Sequence, residues 1–375
     1  MNRRALTQAV IVSAIFVPGA PFIGEIRLAL RDAFPRAFIP TIAISIAAAL
    51  VIPCLVVLAR VRTRRLLRYG AIGLALALVA LYWLTTRTGI LEVDSVELFH
   101  FLEYGTVGTL FYRAFLPTGD VTVFPLTLLA GAIVGTTDEW GQWLVPTRVG
   151  EARDVYLDLF AVACGLLFGV GLQAPGPFAR LSAPSLRRAG RFGAAAVLLF
   201  AVFYHLAHLG YDIRDSQIGS FYSAYTTDEL DAATADRAVR WRLDPPTRLK
   251  PLAIEDFYLT EAGSHVFHRN AYYEGGHFYL AWKENQILET YYDPFLDLHS
   301  FSSGVLHRWA PAQRAEVEGK AIAPSPALYE SPAGRERIVV SPTKTQFWIG
   351  VAGLVGLLLW LPPRHKREKS PGPAS

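Results

Sequence analysis

The sequence predicts an α-helical multi-pass membrane bundle of about eight spans, with an extracytoplasmic α+β domain inserted ahead of the last span. Three observations predict it. Of the 375 residues, 52% are hydrophobic and only 18% charged, with a mean hydropathy of +0.29, whereas a soluble domain carries roughly 25% charged residues. Eight stretches approach the ~20 apolar residues that cross a bilayer. Lysine and arginine gather in short clusters between those stretches, the pattern that orients membrane proteins. The net charge of +4 and the pI near 9.0 come from these clusters, so no nucleic-acid partner is expected.

The apolar stretches fall near 6–24, 37–59, 69–86, 97–115, 121–138, 154–173, 192–209 and 346–362. Pro18 and Pro21 interrupt the first, which has an alternative reading as a signal peptide with Arg3 and Arg4 at its head and Ala20 near the cleavage point. We read it as retained. Eight spans put three basic clusters on one face of the membrane together with Arg3 and Arg4. These are Arg60 to Arg68, Arg180 to Arg191, and the tail carrying Arg364, Lys366, Arg367 and Lys369. The positive-inside rule makes that face cytoplasmic, with both termini. Residues 1–209 then form the bundle, 210–345 an extracytoplasmic domain, 346–362 the last span and 363–375 a cytoplasmic basic tail. Cys54 and Cys164 both lie in apolar runs and imply no disulfide.

Within 210–345 the stretch TTDELDAATADRAVRW predicts a helix opened by a capping box from Thr226 to Glu229. Residues 262–296 predict a second helical region, interrupted by Gly275 and Gly276 and stopped by Pro294. Its residues Trp282, Ile287, Leu288, Tyr291, Tyr292, Phe295 and Leu296 recur with a near-helical period and predict a core face, a partner or glycan surface being the alternative. LYESPAGRERIVV predicts a β-hairpin. His265 and His268 form an H-x-x-H pair, with His277 further on, but no cysteine or H-E-x-x-H accompanies them. No G-x-S-x-G, Walker A or dinucleotide fingerprint occurs. Neither a metal site nor a cofactor is expected.

The candidate site lies where charges meet apolar runs. "DEWGQWLVPTRVGEARDVYLD", starting at Asp138, joins the fifth span to the sixth. Asp138 and Gln142 share a helical face, with Glu139 beside them, and Asp154 and Asp158 repeat the i, i+4 spacing at the head of the sixth span. The fourth span opens with Glu97, His100, Glu103 and Tyr104 at helical offsets. Two readings compete. Arg148 or Arg153 pairs with Asp154 or Asp138 and merely locks three helices and a loop. Otherwise the ionisable groups mark a binding or transfer site, since charge near lipid needs a partner, water or a purpose.

These same residues carry a resemblance. The stretch from Asp138 is similar to the signature of the VanZ-like family, which runs D-E-x-x-Q-x-x-x-P-x-R-x-G-x-x-x-D-x-x-x-N ahead of a glycine-rich helix, and ELFHFLEYG resembles that family's H-F-x-x-Y element. The matching positions are His100, Tyr104, Asp138, Glu139, Gln142, Pro146, Arg148, Gly150 and Asp154, within a resemblance covering about residues 40–173. Asp158 stands where the family usually has Asn, and Glu97 where many members have Lys; both departures add negative charge. The resemblance implies a multi-pass protein of the bacterial plasma membrane, from a family whose named member is associated with resistance to the glycopeptide teicoplanin.

Together these observations predict an envelope protein that binds a polar lipid or a lipid-linked cell-wall precursor at the outer-leaflet cluster, with membrane lipids as its surroundings. Arg148 would clamp a phosphate or carboxylate, oriented by Asp138, Glu139 and Asp154. The alternative is an envelope enzyme in which Asp138, Glu139, Asp154, Asp158 and His100 hold a divalent cation or act as acid and base.

Overall fold

The computed structural model describes all residues except 39, 42–43, 46–47, 49–50, 53, 56–58, 60, 90, 144–149, 247–253, 302, 323–328 and 361–375. Arg148, Pro146, the whole basic tail and much of the expected second span lie outside the described residues. The chain divides into two compact units. The first comprises Met1–Glu139, Ala152–Ala201 and Gly350–Ser375; the second comprises Trp140–Glu151 and Val202–Ile349.

In chain order the first helices are α1 (Arg3–Ala33), α2 (Arg65–Thr86), α3 (Leu91–Phe115), α4 (Val123–Trp143), α5 (Ala152–Leu172) and α6 (Ala183–His208). Three of these, α2, α5 and α6, are long and apolar enough to cross a membrane. The expected count of eight is not carried by the described residues. α1 runs through Pro18 and Pro21 well past the stretch expected to span. α3 and α4 carry acids within their length, and the last apolar helix, α12 (Lys344–Leu359), has 16 residues. On α2 only Ala71, Ile72 and Ala75 are buried, while Leu66, Leu74, Leu81 and Leu84 are exposed. An apolar helix surface of that extent calls for lipid rather than water.

The first unit is organised around α3 and α5, which cross at glycine. A Cβ on Gly165 would collide with the carbonyl of Gly105, and one on Gly108 with the carbonyl of Val162. Small residues permit this backbone approach, the usual device where lipid removes the hydrophobic drive between helices. Thr109 adds an interhelical bond, donating from Oγ1 to Gly165 O at 2.8 Å. The basic cluster at the start of α2 has a structural task as well. Arg68 Nε donates to Gly171 O at 2.7 Å, satisfying a carbonyl that the C-terminus of α5 leaves open, and Arg64 donates to Pro175 O in the segment after the helix.

The second unit is mostly helical, with one two-stranded antiparallel sheet among the described residues. β1 (Tyr211–Asp215) pairs with β2 (Gly219–Ser223), Ile213 facing Phe221. Asp215 Oδ1 accepts from the Gln217 and Ile218 amides to set the turn. Then come α7 (Thr227–Leu243), α8 (Ile254–Glu274), α9 (Phe278–Tyr291), α10 (Asp293–Leu296) and α11 (Pro311–Lys320). Thr226 and Glu229 form the capping box ahead of α7. The break between α8 and α9 is a turn at Gly275–Gly276, with Gly276 at a φ of 73°.

The hairpin expected near 328–340 is not a hairpin. Its arms bridge elsewhere, Glu330 to Ser220 on β2 and Val339 to Leu209 just ahead of β1, and a compact turn through Gly334 joins them. The open edges of a two-stranded sheet offer backbone groups that such arms satisfy better than each other. The core gathers Phe221, Leu230, Tyr258, Ile287, Leu288, Tyr291, Tyr292, Phe295 and Leu296, while Trp282 packs on a satellite cluster with Trp309.

Candidate functional site

Polar side chains of α3, α4 and α5 meet inside the first unit. His100 Nδ1 lies 2.8 Å from Asp158 Oδ1, and the Tyr104 hydroxyl donates to Asp138 Oδ2 at 2.7 Å. The His100 and Tyr104 rings stack with centroids 6.1 Å apart. Asp138, Glu139 and Asp158 each offer a carboxylate oxygen within 4.8 Å of the other two. All three are buried, at 3%, 0% and 0% exposure.

Each position follows from helix periodicity. His100 and Tyr104 are four apart on α3, and Asp138 and Glu139 lie three and four residues beyond Gly135 on α4. Gly135 makes the room. A Cβ there would sit 3.0 Å from both Cβ and Oδ2 of Asp158, so glycine lets the α5 carboxylate approach α4. Asp158 Oδ2 is buried and has no hydrogen-bond partner among the described residues.

Three ionised carboxylates at 4.8 Å repel by about 3 kcal/mol per pair at an effective dielectric of ~20. A bound cation, or protons shared across the set, relieves that repulsion. Among the described residues this is the group of His, Cys, Asp and Glu side chains close enough to hold a metal ion, by hard oxygen donors of the kind magnesium, calcium or manganese take.

Of the remaining expected residues, one is shown to sit elsewhere. Glu97 belongs to another set. It accepts from Arg153 Nη2 at 2.7 Å and from Tyr82 and Thr86 at 3.3 Å each. Arg153 therefore pairs with Glu97, not with Asp154 or Asp138 as a locking pair was expected to do. The reason is reach: Arg153 sits exposed on the first turn of α5, facing the end of α2 rather than the buried face of α4. Glu103 and Asp154 are half-buried. Gln142 is buried one turn beyond Asp138 and belongs to the second unit. Arg148 lies outside the described residues.

Sequence reasoning missed Gly135, Tyr82 and Thr86. Gly135 had a legible signal, since it shares the Asp138–Gln142 face; Tyr82 and Thr86 sit in an apolar run whose hydroxyls gave none.

The histidines of the second unit do not form a metal pair. His265 is buried with Nδ1 2.6 Å from Glu284 Oε2, whereas His268 is half-buried against Phe267 and Tyr272, and His277 is exposed. Glu284 also accepts from the Ser331 hydroxyl at 2.7 Å. Burial pushes the Glu284 carboxyl up, but adjacent His265 and the hydroxyls of Ser331 and Tyr329 outweigh it and hold the group below its ordinary range. Glu261 goes the other way: burial raises it despite bonds from the Ala224 amide, Tyr292 and Ser223.

No family model matches the chain, and neither a curated protein nor a solved structure does.

Proposed function

We propose that this chain is an integral membrane protein of the VanZ-like type, which binds the polar group of a lipid or lipid-linked cell-wall precursor at the α3–α4–α5 cluster. The observation that carries this reading is the meeting of half-buried His100 with the buried side chains of Tyr104, Asp138, Glu139 and Asp158. Buried acids cost free energy unless something compensates them. Arg148, which lies between Asp138 and Asp154 in the sequence, supplies the bidentate clamp for a phosphate or carboxylate. The positive-inside pattern supports about eight spans in a bacterial plasma membrane, both termini cytoplasmic and 210–345 outside. The resemblance links the protein to envelope physiology of the kind that glycopeptide resistance touches.

The 4.8 Å grouping of Asp138, Glu139 and Asp158 favours a second reading. There the three carboxylates hold a divalent cation, and the protein acts on a lipid-linked substrate with His100 as acid or base.

One titration separates the two. Purified full-length protein in detergent is titrated with a polyprenyl phosphate, with and without chelator, as wild type, Asp158→Asn and Arg148→Lys. Headgroup binding by an arginine clamp survives chelation and Asp158→Asn, and is lost in Arg148→Lys, which keeps charge but not the fork. A cation-dependent site is lost on chelation and in Asp158→Asn. The absence of saturable binding under every condition contradicts both.

A further inference from the structure

The second unit contains a cleft of ≈ 630 Å³ between the C-terminal half of α7 and the segment from α10 to Phe301. That volume is within the range of small-molecule sites. Its walls combine three chemistries. Phe301, 42% exposed, presents aromatic surface, and Trp241, a core residue 9% exposed, adds a smaller share. Arg237 and Arg242 supply donors, and Asp293 and Asp297 supply acceptors.

The donors and acceptors are part-used in a telling way. Arg237 has a side chain only 7% exposed, with Nη1 on Asp236 at 2.7 Å and its guanidinium over the Tyr258 ring. Its Nε is buried and has no acceptor among the described residues. A buried N–H left in that condition costs roughly 1–3 kcal/mol; it is closed to solvent as the side chain stands, so an acceptor in the cleft gains by meeting it once the Arg237 side chain turns outward. Arg308 bridges the two acids, Nη2 to Asp293 Oδ1 at 2.9 Å and Nε to Asp297 Oδ1 at 2.7 Å. Their Oδ2 atoms keep open acceptor capacity, and Arg308 holds both carboxylates in fixed positions.

From this geometry we propose that the cleft binds a saccharide of one or two rings bearing an acyl or carboxyl oxygen. Ring C–H faces pack on Trp241 and Phe301, hydroxyls donate to the free oxygens of Asp293 and Asp297, and the acyl or carboxyl oxygen accepts from Arg237 Nε. Arg242, exposed on the rim, adds a second donor. The proposal stands on the cleft alone and is independent of the reading given to the membrane cluster.

The test uses full-length protein in a detergent without a sugar headgroup, since such a headgroup would compete. Binding of N,N′-diacetylchitobiose is followed by saturation-transfer NMR, with cellobiose as the same-sized disaccharide lacking acyl groups. The expected result is saturable binding of diacetylchitobiose and weaker binding of cellobiose. Arg242→Ala and Phe301→Ala should each weaken diacetylchitobiose about tenfold, equivalent to ~1.4 kcal/mol. Both side chains are exposed, so these variants fold even if a change at buried Arg237 does not. No saturable binding, equal binding of cellobiose, or binding indifferent to both rim variants overturns the proposal.

Discussion

Replacing Asp158 with Asn asks whether the buried cluster serves the fold or a ligand. The wild-type carboxylate is fully buried, with Oδ1 2.8 Å from His100 Nδ1. An Asn oxygen in the same place still accepts from the imidazole. The loss is the charge assistance, about 1 kcal/mol as the difference between a charged and a neutral hydrogen bond. On the other side, the substitution removes one charge from three carboxylates grouped within 4.8 Å, relieving two pairs at up to about 3 kcal/mol each. Relief outweighs loss when no cation is bound. Scanning fluorimetry of the purified chain at neutral pH with chelator should therefore show a melting temperature equal to or above wild type. A pure locking network predicts the opposite: breaking a buried pair costs about 3–5 kcal/mol and lowers the transition by several degrees. A fall of that size refutes the reasoning.

Other outcomes test other parts of the account. Gly165→Ala should destabilise by roughly 1–3 kcal/mol through overpacking against Gly105, whereas Gly73→Ala, which meets nothing within 4 Å, should not; chemical denaturation compares them. Thr226→Ala should cost about 1 kcal/mol by removing the acceptor of the Glu229 amide at 3.3 Å, read as a shift in the second unit's unfolding. Glu284 is held below its ordinary value of 4.5, so it contributes stability above that pH and loses it as pH falls through the lower folded value. Acid unfolding followed by tryptophan emission should accordingly be less steep in Glu284→Gln than in wild type. Arg148→Ala and Arg148→Lys should both abolish the envelope phenotype that wild type confers while leaving protein level and melting temperature unchanged.

The legible parts of this fold are those written in local periodicity. The capping box at Thr226 and Glu229, the break at Gly275–Gly276 and the aromatic core face around Tyr291 and Tyr292 all arise from short-range rules, and the helices realise them. The β1–β2 hairpin was missed because YDIRD and GSFYS are polar, with one buried residue in the first and two in the second, so alternation is faint. The 328–340 arms carry strand-like residues, but their partners lie over a hundred residues earlier, and no local pattern names them.

The site divides in the same way. Spacing placed His100 with Tyr104, and Asp138 with Glu139, on their helices. The closeness of α5 to α4 depends on Gly135, and the diversion of Arg153 to Glu97 depends on Tyr82, Thr86 and the end of α2. Those are tertiary facts.

The central claim is that the α3–α4–α5 cluster is a ligand site rather than a lock. The most direct measurement is a ligand-induced thermal shift on full-length protein, wild type against the Asp138→Asn, Glu139→Gln double variant, with a polyprenyl phosphate as the added ligand. The account predicts that without ligand the variant melts no lower than wild type, since it loses two of the three clustered charges, and that only wild type gains stability as ligand is added. A variant that melts well below wild type without ligand, yet shifts as much when ligand is added, would contradict it.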